Sequence, residues 1–325
     1  MNTALRIATY TAALAATFGA AYGVGNVVTP VSTDPESAAP PHAEHADTPD
    51  GGGQAPGSGD DAPVGGLRVS EGGYTLDLRT PRVPAARTTE LRFVIRDSAG
   101  RQVTAFQREH DKELHLILAS RDLTAYRHLH PTRAADGAWS TPANLPAAGG
   151  YRLFADFTPA AKGAKNLTLG ADLAVAGDYR PAPVPAPSAT ATIDGYTVTL
   201  TGSLRPGTAG ELNLKVTEAG RPVTDLEPYL GAYGHLVALR SGDLAYLHVH
   251  PNGEPGDGET GPGPDVSFTA TAPSAGTYRL FLDFKHRGTV RTAAFTVTAQ
   301  TAQTAPGAEP TSSPAGEEAD GGHGH

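Results

Sequence analysis

From Leu67 to Val297 the chain reads as short apolar-polar alternations, interrupted about every 8 to 12 positions by Gly, Pro, Asn or Asp. Glu90-Leu91-Arg92-Phe93-Val94-Ile95 and Glu211-Leu212-Asn213-Leu214-Lys215-Val216 carry the period of two expected of strands with one buried face. Gly72-Gly73 and Asp194-Gly195 tolerate positive φ, so each predicts a tight hairpin turn. Between these residues no convincing amphipathic helix appears; a helix is expected only in the N-terminal membrane or signal segment. The alternation predicts an all-β protein.

The pattern occurs twice. Arg101-Gln102-Val103-Thr104 aligns with Arg221-Pro222-Val223-Thr224, and the alignment runs without a gap through Tyr126-Arg127-His128-Leu129-His130-Pro131 and Tyr246-Leu247-His248-Val249-His250-Pro251. Two modules of about 110 residues, each with seven or eight short strands, predict tandem immunoglobulin-like or cupredoxin-like sandwiches. The predicted organisation is an N-terminal signal peptide or membrane anchor (1–31), a disordered acidic Pro/Gly linker (32–66), module 1 (67–179), a Pro-rich spacer (180–187), module 2 (188–298) and an acidic tail (299–325). The N-terminal segment is uncharged from Ile7 to Val31, long enough to span a bilayer but weakly hydrophobic. Gly19 and Gly23 form a small-xxx-small pair in it. Either reading of this segment places the modules outside the cytoplasm, with the membrane touched only there.

Six histidines fall at equivalent positions: His115, His128 and His130 in module 1, His235, His248 and His250 in module 2. If Arg121-Asp122 and Ser241-Gly242 are two-residue turns, His115 lies directly opposite His128, and His235 opposite His248. Residues two apart share a face, so His130 and His250 complete a cluster in each module. Leu114, Leu116, Leu118 and Leu129 occupy the opposite, core-directed face, as do Leu236, Leu247 and Val249. The histidine face also carries Ile117, Tyr126, Val237, Leu239 and Tyr246, which predicts cover by the partner module. Three imidazoles with an open position suit Zn(II) or Cu(II). Asp156 and Asp283 are candidates for a fourth ligand, alongside their commoner role as buried hydrogen-bonding acids. His110 and Glu113 align with Leu230 and Tyr233, so they are not expected in a shared site. His42, His45, His323 and His325 sit in the predicted disordered ends.

Composition narrows the chemistry. There is no cysteine, which removes thiolate zinc, iron-sulfur and blue-copper sites, and the one methionine is Met1. The net charge of −9 is concentrated in the two ends: seven acids and no Lys or Arg lie between Val31 and Gly66, and four unopposed acids follow Gln300. No basic stretch with interleaved aromatics argues for nucleic acid as a partner. No general-base motif such as H-E-x-x-H accompanies the histidines, so an enzyme is not expected.

His-Leu-His-Pro or His-Val-His-Pro followed by Tyr-Arg-Leu-Phe-x-Asp-Phe, behind an export segment and an acidic tether, resembles exported actinobacterial heavy-metal-binding proteins. It is similar, more distantly, to the YtkA-like and CopC-like periplasmic sandwiches. The resemblance implies a small Ig-like or cupredoxin-like sandwich handling metal, copper among the candidates, through His115, His128, His130, His235, His248 and His250. The alternative is a cell-envelope adhesion or interaction protein whose partners are other envelope proteins and whose histidines are structural.

Overall fold

The computed structural model describes residues 64–300, with His248 and His250 by their backbone alone. The export segment with Gly19 and Gly23, the linker through Pro63, and the tail beyond Gln300, with all four of its and the linker's histidines, lie outside the described residues. No helix among the described residues is long and apolar enough to cross a membrane.

Module 1 comprises β1 (Ser70–Glu71), β2 (Tyr74–Leu78), β3 (Arg82–Pro84), β4 (Thr88–Arg96), β5 (His115–Ser120), β6 (Tyr126–Leu129), β7 (Thr132–Arg133), β8 (Ala138–Asn144), β9 (Gly149–Phe157) and β10 (Leu167–Ala176). Its sheets run β1-β2-β4-β8-β7 and β3-β10-β9-β5-β6. Module 2 comprises β11 (Thr190–Ile193), β12 (Tyr196–Gly202), β13 (Gly210–Glu218), β14 (Arg221–Pro222), β15 (Gly234–Arg240), β16 (Tyr246–His248), β17 (His250–Pro251), β18 (Asp265–Ala270), β19 (Gly276–His286) and β20 (Thr289–Ala299). Its sheets run β11-β12-β13-β18-β17, with β14 on β13, and β16-β15-β19-β20. Both modules are Ig-like β-sandwiches, and no described strand is replaced by a helix.

Alternation places Leu91, Phe93 and Ile95 of β4 in the module 1 core, against Leu116 and Leu118 of β5 and Leu153 of β9. Leu212, Leu214 and Val216 of β13 do the same in module 2, against Leu236, Ala238 and Leu280. Each sandwich is pinned at one corner by a tyrosine bonding four residues back: Tyr151 Oη donates to Ala147 O at 3.0 Å, and Tyr278 Oη to Ser274 O at 2.8 Å. Such tyrosine corners are a feature of the Ig architecture.

A third apolar cluster joins the modules. Ile117, Ala119, Leu123, Tyr126 and Phe154 pack against Val237, Leu239, Leu244, Tyr246 and Phe281, so the two histidine-bearing sheets face each other as expected. Tyr126 stacks on Phe281 with ring centroids 4.1 Å apart, and Phe154 meets Tyr246 at 5.6 Å. Arg279 is buried by this contact and donates to Leu123 O of the other module at 3.3 Å. The chain just before module 1 is wedged at the same seam: Tyr246 N donates to Gly65 O, and Gly66 N to Thr168 O. A Cβ on Gly66, which has φ +76°, would stand 2.4 Å from the Phe154 ring, so glycine is required there.

The histidine hairpins differ from the expected register. Ile117, not His115, is paired with His128, and Val237, not His235, with His248. The loops span four residues, 121–124 and 241–244, closed by Ser120 N to Ala125 O and Arg240 N to Ala245 O. The cause is burial combined with turn chemistry. Leu123 and Leu244 adopt φ of +56° and +63° and are completely buried in the inter-module cluster. Burying a leucine stabilises by about 1.5–3 kcal/mol, which offsets a left-handed backbone costing about 1–2 kcal/mol. Asp122 adds to this by accepting from Ser120 Oγ, Thr124 N and Thr124 Oγ1. The displacement is by two positions, so every side chain keeps its expected face.

Candidate metal centre

His115 opens β5 and His128 lies in β6. Leu116 faces Leu129, so the next step of the ladder sets His130 across from His115. Immediately beyond, the chain switches sheets to form β7 on β8. This switch leaves His130 at the lip of the sandwich, beside His115 and His128. His235 begins the equivalent stretch of β15, while His248 ends β16 and His250 opens β17 on the other sheet. The convergence of the second trio is therefore described at the backbone only.

Inward-facing nitrogens of His115, His128 and His130 all lie within 4.8 Å of one another. Their ring centroids are 5.3, 5.2 and 4.8 Å apart. Imidazoles sharing one tetrahedral ion at about 2.0–2.1 Å from nitrogen have centroids about 5 Å apart. The three rings therefore already have the spacing of a coordination sphere.

Their outer nitrogens have fixed partners. His115 Nε2 lies 3.2 Å from Glu109 O, a carbonyl that can only accept, so Nε2 carries the proton and Nδ1 of the neutral ring presents a lone pair. His235 repeats this with Tyr229 O at 2.8 Å. Glu109 and Tyr229 begin equivalent tight turns, closed by Lys112 and Ala232. His128 sits between two acceptors: His115 Nδ1 lies 3.1 Å from Nε2, and Asp283 Oδ2 lies 2.8 Å from Nδ1. A ring with one N–H can serve only one of them. Placing that proton toward the carboxylate leaves the Nε2 lone pair facing the His115 lone pair. His130 Nε2 is buried and has no hydrogen-bond partner among the described residues. Three imidazole nitrogens gathered this closely are a donor set that a cation could use. The outer carbonyl and carboxylate are the partners that metal-bound histidines ordinarily have.

Burial also favours the neutral, ligating form of His115 and His130. It lowers His115 to about 4, aided by neighbouring His128, and lowers His130 to about 2, with His128 and His115 as the next causes. His235 is lowered to about 4, again by burial first.

Asp156 and Asp283, the candidates for a fourth ligand, each bond a side chain of the other module. Asp156 pairs with His115 along the β5–β9 ladder, and Asp283 with His235 along β15–β19. Asp283 instead crosses the module boundary to the outer nitrogen of His128 and also accepts from Thr292 Oγ1. Asp156 accepts from Asn166 Nδ2 at 2.7 Å and from Tyr246 Oη of the other module at 3.2 Å.

His110, which was not expected in a shared site, lies close to histidines of both modules. Its ring lies 5.2 Å from His235 and 6.3 Å from His115. His110 and Asp111 form their turn with φ of +48° and +62°. Its counterpart Leu230 gave no warning, because the relevant neighbour belongs to the other module. Glu113 stays outside the cluster, bonded to Arg133.

No curated protein matches the chain. Similar solved structures include the Escherichia coli adhesin FdeC (18% identity, TM-score 0.23, covering 71% of this chain and 65% of that one). A bacterial integrin-binding invasin is 11% identical, with TM-score 0.20 and coverage of 70% and 39%. A Corynebacterium diphtheriae protein described as a putative membrane anchored protein is 9% identical, with TM-score 0.21 and coverage of 73% and 61%. The matched family model is neither YtkA-like nor CopC-like. It covers residues 68–176 and 191–301, one copy per sandwich, and the chain therefore belongs to the family described as Domain of unknown function (DUF8832).

Proposed function

We propose that this protein binds a divalent transition metal, Cu(II) or Zn(II), outside the cytoplasm, for buffering, delivery or sensing. One observation carries the reading: three imidazoles at coordination spacing present inward nitrogens, while the outer nitrogens of His115 and His128 face a carbonyl and a carboxylate. His115, His128 and His130 are the ligands of the first site. His235, His248 and His250 are the corresponding candidates in module 2. The extracytoplasmic placement rests on the uncharged N-terminal stretch. A binding role, rather than catalysis, fits a partly buried cluster with no general-base motif beside it.

Calorimetric titration with Cu(II) and Zn(II) tests this, using the chain and its His115→Ala, His128→Ala, His130→Ala variant. Two sites falling to one is the expected result; no binding by the unaltered chain would overturn the reading. A second reading, an envelope interaction protein whose histidines serve only to pack the sandwiches, is favoured by the location of the cluster beside the apolar seam. It predicts that the triple variant loses stability while the unaltered chain takes up no metal.

A further inference from the structure

We infer that the first metal centre is a latch between the modules, in which Asp283 of module 2 positions His128 of module 1 so that metal occupancy tightens the docking of the two sandwiches. This rests on the metal reading and adds a regulated property to the same site.

The supporting geometry is reciprocal. His128 Nδ1 has its partner not in its own sandwich but 155 residues away, in Asp283. Asp156, the equivalent acid of module 1, is reached by Tyr246 of module 2. Each module thus supplies a buried acid that a side chain of the other bonds. His110 approaches His235 across the same boundary.

The energetics follow from burial. Asp283 has only 3% of its side chain exposed, and its described partners are His128 and Thr292. A desolvated carboxylate costs several kcal/mol unless a positive charge lies near. A divalent ion on His128 Nε2 polarises the ring and strengthens the Nδ1–H bond to Asp283. Because that bond spans the boundary, ion binding and module docking are linked, each favouring the other by the same free energy. The apolar seam around Tyr126 and Phe281 lies two residues from each partner, so the tightening is transmitted to Leu123 and Leu244.

The test uses the full chain and its Asp283→Asn variant, with Cu(II) and Zn(II) as probes. Calorimetry should show about 10- to 100-fold weaker binding at the first site in the variant, the usual effect of removing such an outer partner. The Cu(II) ligand-field band should shift as well, which a purely structural role for Asp283 would not produce. Hydrogen exchange at the amides of residues 123–126 and 244–246 should slow when metal is added to the unaltered chain, and slow less in the variant. Asp225→Asn, which alters the acid beside His286 in module 2, should change neither quantity. If Asp283→Asn fails to fold, Thr292→Val keeps the carboxylate but removes one of its donors, and should weaken binding several-fold. Unchanged affinity and band, with equal protection in both chains, would overturn the latch while leaving the metal reading intact. Absence of binding by the unaltered chain would overturn the metal reading itself.

Discussion

Tyr126 and Tyr246 occupy equivalent places in the repeat, yet their hydroxyls differ. Tyr246 Oη donates to Asp156, whereas the buried Tyr126 Oη has no hydrogen-bond partner among the described residues. An unsatisfied buried hydroxyl is costly, and one bonded to a carboxylate is worth about 1.5–3 kcal/mol. Tyr126→Phe should therefore be neutral or slightly stabilising, while Tyr246→Phe should lose about 1–2 kcal/mol; urea unfolding of the two variants measures the difference. The histidines supply a second prediction. In the folded chain His115 and His235 are held at about 4 by burial, below the ordinary 6.5, so the neutral ring is favoured and the unfolded chain binds more protons between those values. Stability is thus fully present above pH 6.5 and is lost as pH falls toward 4, on the order of 3 kcal/mol for each ring. Thermal melts of metal-free protein across this range should show that decline. Replacing His115 with Gln should flatten it.

At the scale of the element, the motif Tyr-Arg-Leu-Phe-x-Asp-Phe resolves into separate tasks. Tyr151 and Tyr278 make the corners, Leu153 and Phe157 fill one sandwich core as Leu280 and Phe284 fill the other, and Phe154 and Phe281 turn outward to the seam. Period-two alternation made those faces legible in advance. It did not reveal the turn, because Arg121-Asp122 and Ser241-Gly242 look like good two-residue loops taken locally. The competing interaction was the burial of Leu123 and Leu244 against the other module, a contact no local pattern records. Leu123→Gly relieves the left-handed backbone but removes the buried side chain; a net loss of about 2 kcal/mol is expected in denaturant unfolding. A gain in stability would show that the turn chemistry, rather than burial, holds the register.

Across the whole molecule, the seam makes two sandwiches interdependent. Ile117 and Val237 are almost fully buried between them, so an Ile117→Asp substitution buries a charge without a designed partner. The unaltered two-module chain should unfold in one calorimetric transition, and this variant in two; a single unchanged transition in the variant would show that the seam contributes little coupling. The duplicated sandwich, the core faces, the histidine face and its cover by the partner were determined by the sequence alone, because alternation and repetition are local properties of the chain. Only the tertiary structure decided that Asp283 serves His128, that His110 comes to lie beside His235 and that the hairpins close two positions later. Those outcomes depend on contacts between residues more than a hundred positions apart, where burial across the seam outweighs what each segment prefers by itself.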